Sequence, residues 1–207
     1  MNKKDYRSSS EAKFEFDIYR SFVLEHYMKF WGMPESRVIS NRVSDNTSIE
    51  VYYFPSNEKN NIAHIATIGL YFQAMKTLSI VKREYFFALP ADLGGTSLEK
   101  VSNYLLDISA HTATEVESLT YPSVTDETKL SPFEWPTKAF LIDEPRGEHE
   151  EFVKINNDHT FYPDFLWVIP IYQTECSDIL KNGIEHFDQL AELSEFSLVD
   201  VKRPSLC

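Results

Sequence analysis

Six histidines, two cysteines and 32 acidic side chains are the groups in this 207-residue chain most able to do chemistry. His26, His64, His111, His149, His159 and His186 share no i, i+3 or i, i+4 interval, so no two stand on one helix face as metal ligands would. His149-Glu150-Glu151-Phe152-Val153 begins like a zinc-protease helix but lacks the second histidine, and no metal is expected there. Cys176 lies in a segment of helical spacing beside Glu175 and Asp178, whose charge opposes thiolate formation. It is expected to be a buried structural thiol, with no disulfide to the terminal Cys207. The chain contains no phosphate loop, nucleophile elbow or dinucleotide fingerprint. Gly94-Gly95-Thr96 has backbone able to meet an anion but reads better as a loop feeding a helix near Ser97. Asp143-Glu144 after one apolar strand, and Asp164 before another, are the carboxylates best placed for acid–base work, with His159 as an imidazole partner. Solvated strand ends are the plainer reading. The expectation is a protein without enzymatic activity, metal or cofactor.

Charge says more than catalysis does. The formal net charge is −12, which works against binding a phosphate backbone. Residues 141–164 carry seven acids against Arg146 and Lys154, and residues 172–200 carry seven against Lys181. One reading is a solubilising surface; the other is an acidic field that steers a basic protein partner. On the second reading Asp143, Glu144 and Asp164 are candidate contacts from the first block, and Glu175, Asp178 and Glu185 from the second. Tyr71 and Trp135 join them as aromatic anchors of the kind favoured at interfaces. Neither nucleic acid nor membrane is an expected partner: no window approaches 18 consecutive apolar residues, and the N-terminus lacks the apolar core of a signal peptide. A cytoplasmic location follows as the expectation.

The elements that must position these groups are legible from periodicity. Helix one is expected from Ser8, with Glu11 completing a capping box and Phe14, Ile18, Phe22, Tyr27 and Phe30 as its apolar stripe. Strands are expected over Val38 to Val43, Ile49 to Phe54, Ile62 to Phe72 and Arg83 to Leu89. A second helix follows over Ser97 to Ala110, then an irregular stretch from Thr114 to Pro136. Ala139 to Ile142 and Phe165 to Ile169 return as strands, with Phe152 to Ile155 as a further candidate. Phe165 to Ile169 has no polar alternation, so it should be covered on both faces. Thr174 is expected to cap the next helix, and Gly183 to interrupt or end it. Strands in the middle and helices at both ends give an α+β fold, a mixed and largely antiparallel sheet flanked by helices, as one domain over 1–207.

Several segments also carry a family pattern. These are Ile49 to Pro55 (IEVYYFP), Ala66 to Met75 (ATIGLYFQAM), Glu84 to Asp92 (EYFFALPAD), Phe165 to Leu190 with Pro170-Ile171-Tyr172, Glu175 and Gly183, and the close Val201-Lys202-Arg203-Pro204. In order and spacing they resemble the suppressor of fused family in its bacterial single-domain form; ATIGLYFQAM departs from it by lacking the usual Ser-Gly-Met-Ser run. The resemblance implies a mixed α+β fold without catalytic machinery. It further implies a protein partner: a toxin domain, such as a basic nuclease, neutralised by an immunity protein, or an extended peptide captured by β-augmentation as in the larger animal members.

Overall fold

Charged residues on buried strands set this architecture apart from a plain apolar sandwich, and the sheet that carries them runs through the whole molecule. In a computed structural model, residues 9–40, 49–57, 61–71, 83–114, 121–153 and 163–207 are described. Helix α1 (Ser9–Trp31) leads into strands β1 (Ser36–Ser40), β2 (Ile49–Phe54), β3 (Ile62–Ile68) and β4 (Arg83–Pro90). A 3-10 turn (Leu93–Gly95) and helix α2 (Leu98–Thr114) follow, then β5 (Ser123–Thr125), β6 (Ala139–Asp143), the one-turn helix α3 (Glu150–Val153), β7 (Asp164–Ile171), α4 (Gln173–Asn182) and α5 (Ile184–Leu193). The seven strands form one sheet in the order β1-β2-β3-β4-β7-β6-β5. Every neighbouring pair is antiparallel except β4 and β7. The fold is α+β, with the mixed and largely antiparallel sheet that the strand grouping predicts.

Both sheet faces are covered. One carries Tyr52, Phe54, Phe86, Leu141, Trp167 and Ile169 against α1, α4 and α5. The other carries Val51, Ile65, Phe87, Ile142, Leu166 and Val168 against α2, whose Val101, Tyr104, Leu105 and Ile108 point inward as their spacing predicts. Phe165 to Ile169 therefore alternates between two cores, which is why it needs no polar residues.

Five expectations need correction. The buried row of α1 is Phe16, Tyr19, Val23, Tyr27 and Trp31, while Phe14, Ile18 and Phe22 face outward, Phe14 with 66% exposure. The tyrosine row can turn inward because its hydroxyls find acceptors: Tyr19 donates to Glu84 Oε1 at 2.7 Å and Tyr27 to Thr67 O at 3.2 Å. The residue preceding α4 is Tyr172, not Thr174; Glu175 reaches back to accept the Tyr172 N–H at 2.8 Å, and the Thr174 hydroxyl bonds Ser205 instead. Glu150–Val153 is helical rather than a strand, and it drops Phe152 into the aromatic core. The irregular stretch holds a short edge strand, β5. The strand expected over Ile62 to Phe72 stops at Ile68: Gly69, with φ +120°, bends the chain, and Leu70 and Tyr71 turn helical. The Ser8 cap and the residues Val43, Phe72 and Ile155 lie outside the described residues. Gly183, with φ +90°, separates α4 from α5 as its position suggests.

Candidate functional site

Strand register collects most of the strand-borne charges at one end of the sheet. Glu50 pairs with Ile68, Arg83 with Asp164 and Asp143 with Trp167, so the starts of β2, β4 and β7 and the ends of β3 and β6 lie side by side. Most of these groups are consumed by the fold. Glu50 accepts from Tyr52 Oη at 2.6 Å, with Arg20 at 3.4 Å and Arg37 at 3.6 Å. Arg83 donates to Tyr121 Oη at 2.9 Å and to Thr112 O at 3.0 Å near the C-terminus of α2, where the helix dipole favours a cation. Asp143 is buried, accepting the Glu144 N–H at 2.8 Å and paired with Arg146.

Glu84 is the most deeply enclosed of them. Its carboxylate accepts from Tyr19 Oη and Thr67 Oγ1, each at 2.7 Å, from Gly69 N at 2.8 Å and from Tyr71 N at 3.3 Å. Burial holds its pKa above the ordinary carboxyl value against the opposing pull of those four donors. The same burial and the adjacent Glu84 push the Tyr19 hydroxyl well up.

The predicted contact residues divide by burial. Glu144, Asp164 and Glu185 are exposed. Arg146 pairs with both Asp143 and Asp188, so α5 is drawn against the end of β6, and Glu185 stands one turn from Asp188. Arg146 thus ties one acid of each sequence block together at this end of the sheet. Asp178 is half-buried, accepting from Asn182 Nδ2 at 2.7 Å and lying 3.6 Å from His186 Nε2, a tie between α4 and α5. Glu175, Asp143, Tyr71 and Trp135 are buried and present no surface to a partner. The Glu175 oxygens meet Arg203 at 2.5 and 2.8 Å and also accept from Tyr172 N and Leu206 N. Trp135 donates its indole N–H to Leu93 O at 3.1 Å and packs edge-on against Phe87 and Tyr104. Tyr71 lies beside Tyr19, with ring centroids 5.3 Å apart.

Nothing in the described arrangement activates a nucleophile. Cys176 is buried and its thiol pKa is raised by that burial and by Asp126, the direction opposite to thiolate formation. A depression of about 460 Å³ is lined in part by Asp92, Asp200 and Lys202, but both carboxylates accept backbone N–H groups, from Gly94 and Lys202 respectively. Among the described residues no cluster of three metal-ligating side chains occurs. His159 lies outside them.

Sequence reasoning missed three structural groups: Glu84, Arg203 and the triad His64, Glu148 and Trp31. In the triad His64 Nε2 stands 3.0 Å from Glu148, the Trp31 indole donates to the same carboxylate, and the two rings stack at 4.3 Å. Glu84 did carry a signal, since a carboxylate directly preceding the apolar run YFFAL within one strand must be satisfied in the core. The other two rest on contacts far apart in sequence.

A family model described as Suppressor of fused protein (SUFU) matches residues 45–204. No curated protein sequence matches the chain. Among solved structures, a Neisseria gonorrhoeae protein described as a SUFU homologue superposes with a TM-score of 0.72 at 16% identity, covering 92% of this chain and 98% of that one. A chain of the Sufu–Fu complex gives 0.62 at 12% identity, covering 90% of this chain and 91% of that one. Drosophila Suppressor of Fused gives 0.61 at 13% identity, covering 89% of this chain and 50% of the fly chain. At these identities the likeness is one of fold.

Proposed function

The chain belongs to the suppressor of fused family, and from that premise we propose that it is a non-catalytic protein-binding module of the cytoplasm, acting as an immunity protein that masks a toxin domain. One observation carries this reading: Arg146 ties Asp143 of one acidic block to Asp188 of the other, with the exposed Glu144 next to the first and the exposed Glu185 one turn from the second. Such a surface recruits a basic protein by raising its association rate. A structure that bears the same fold is named as the Sufu–Fu complex, which supports a protein partner. The two cysteines stand unpaired, as a reducing compartment would keep them.

The test begins in source cells. The full chain, used as bait, is expected to retain a basic protein whose production alone arrests growth, and co-production of this chain is expected to restore growth. A retained protein that is harmless on its own would remove the immunity role and leave the binding module. A second reading has its own observation. The sheet ends on β1 and β5, whose outer edges meet no further strand among the described residues, and an extended peptide could add there. A short synthetic peptide binding as tightly as the whole partner domain would favour that reading.

A further inference from the structure

The depression of about 460 Å³ beside the 3-10 turn holds opposite charges that do not pair with each other: Asp92, Asp200 and Lys202 all line it. Each carboxylate is fixed through one oxygen, Asp92 Oδ1 accepting Gly94 N at 3.1 Å and Asp200 Oδ1 accepting Lys202 N at 2.9 Å. The other oxygen of each accepts no hydrogen bond among the described residues. The Lys202 ammonium forms no ion pair with either; it lies over the turn, where a Cβ on Gly95 would stand 2.5 Å from Nζ. Glycine at φ +74° is what admits it. The same turn carries Leu93 at φ +53°, a left-handed conformation in a residue other than glycine. Strain of this kind persists only where the surroundings hold it. Here Trp135 donates to Leu93 O at 3.1 Å, and Gly95 N to Asp92 O at 2.9 Å. The charges are thus preorganised around an open volume. Ile62 and Val199 give that volume an apolar wall, and the Ser197 hydroxyl, which accepts Val199 N at 3.2 Å, keeps its proton for a ligand.

Going beyond the protein-binding reading, we propose that this depression binds a small zwitterion with an aliphatic body, an α-amino acid or a dipeptide. The ligand's ammonium is taken by the free oxygens of Asp92 and Asp200, and its carboxylate by Lys202 Nζ and the Ser197 hydroxyl. Its aliphatic part lies on Ile62 and Val199. Charge-assisted hydrogen bonds are the strong ones, and groups already held in place lose little freedom on binding. Both ligand charges are required. A lone cation also meets Lys202, and a lone anion meets two carboxylates, so either is opposed by a like charge in the same depression.

The experiment titrates the full, isotope-labelled chain with L-leucine, leucyl-leucine, leucinamide (which lacks the carboxylate) and N-acetyl-leucine (which lacks the ammonium), reading backbone amide shifts. The expected result is a saturable shift at Gly94, Gly95, Val199 and Lys202 with a zwitterion, the tighter of leucine and leucyl-leucine naming the ligand's length. Leucinamide and N-acetyl-leucine should bind at least about tenfold more weakly, the loss of one charged hydrogen-bond partner. Lys202→Met should abolish the preference over leucinamide. The double variant Asp92→Asn, Asp200→Asn keeps both Oδ1 acceptors for the backbone and should abolish the preference over N-acetyl-leucine. Both variants should melt at the wild-type temperature. No saturable shift at these amides with either zwitterion, or equal binding of all four compounds to wild type, would overturn the site. Neither result touches the protein-binding reading, whose test is growth rescue by a retained partner.

Discussion

Arg203 and Glu175 form a fully enclosed ion pair, with two further backbone donors on the carboxylate. Removing one partner of such a pair leaves a charge in the core, so Arg203→Ala should cost about 3–5 kcal/mol in urea unfolding. Arg203→Lys should fall between, since an ammonium cannot reproduce the two-pronged contact. Equal stability of Arg203→Ala and wild type would contradict the structure at this point. Glu84 gives a pH signature. Its folded pKa is raised, so between the ordinary carboxyl value and that raised value the native state holds the proton more tightly than the unfolded chain. Stability from this group is therefore greatest at low pH and is lost as pH rises through the folded pKa. Relative to Glu84→Gln, wild type should lose stability across that interval and run parallel to it above; unfolding curves at a series of pH values would show a flat or opposite difference if the assignment were wrong.

At the scale of elements, the 3-10 turn after β4 is locked to the chain's end. Gly94 has φ +65°, and a Cβ there would overlap Val201 Cγ2 and stand 2.7 Å from Trp135 Nε1. Gly94→Ala should destabilise by at least about 2 kcal/mol, combining left-handed strain with overpacking, and a melting temperature equal to wild type would count against this junction. The strands and α2 were legible because their periodicity is strong and their turns are marked by Pro and Gly: β2 falls on Ile49–Phe54 as expected, and β7 alternates between both cores. The inward face of α1 was not, because tyrosines count weakly as apolar until their hydroxyl acceptors, Glu84 and Thr67 O, are known. The candidate site was half legible for a related reason. Charge density located the acidic blocks, but only tertiary contacts decide that Glu175 and Asp143 turn inward while Glu144, Asp164 and Glu185 stay out.

At the scale of the molecule, a doubly covered sheet leaves its ends, edges and loops for function, and at one of those ends Arg146 joins an acid of each block, with Glu144 and Glu185 exposed beside them. The central claim is that this end meets a basic protein partner. The most direct measurement is the association rate of that partner with wild type and with the combined charge reversal Glu144→Lys, Asp164→Lys and Glu185→Lys, across a range of salt. The variant should associate at least about tenfold more slowly at low salt and converge with wild type at high salt, where exposed charges are screened. An association rate that is the same for both at low salt would contradict the claim.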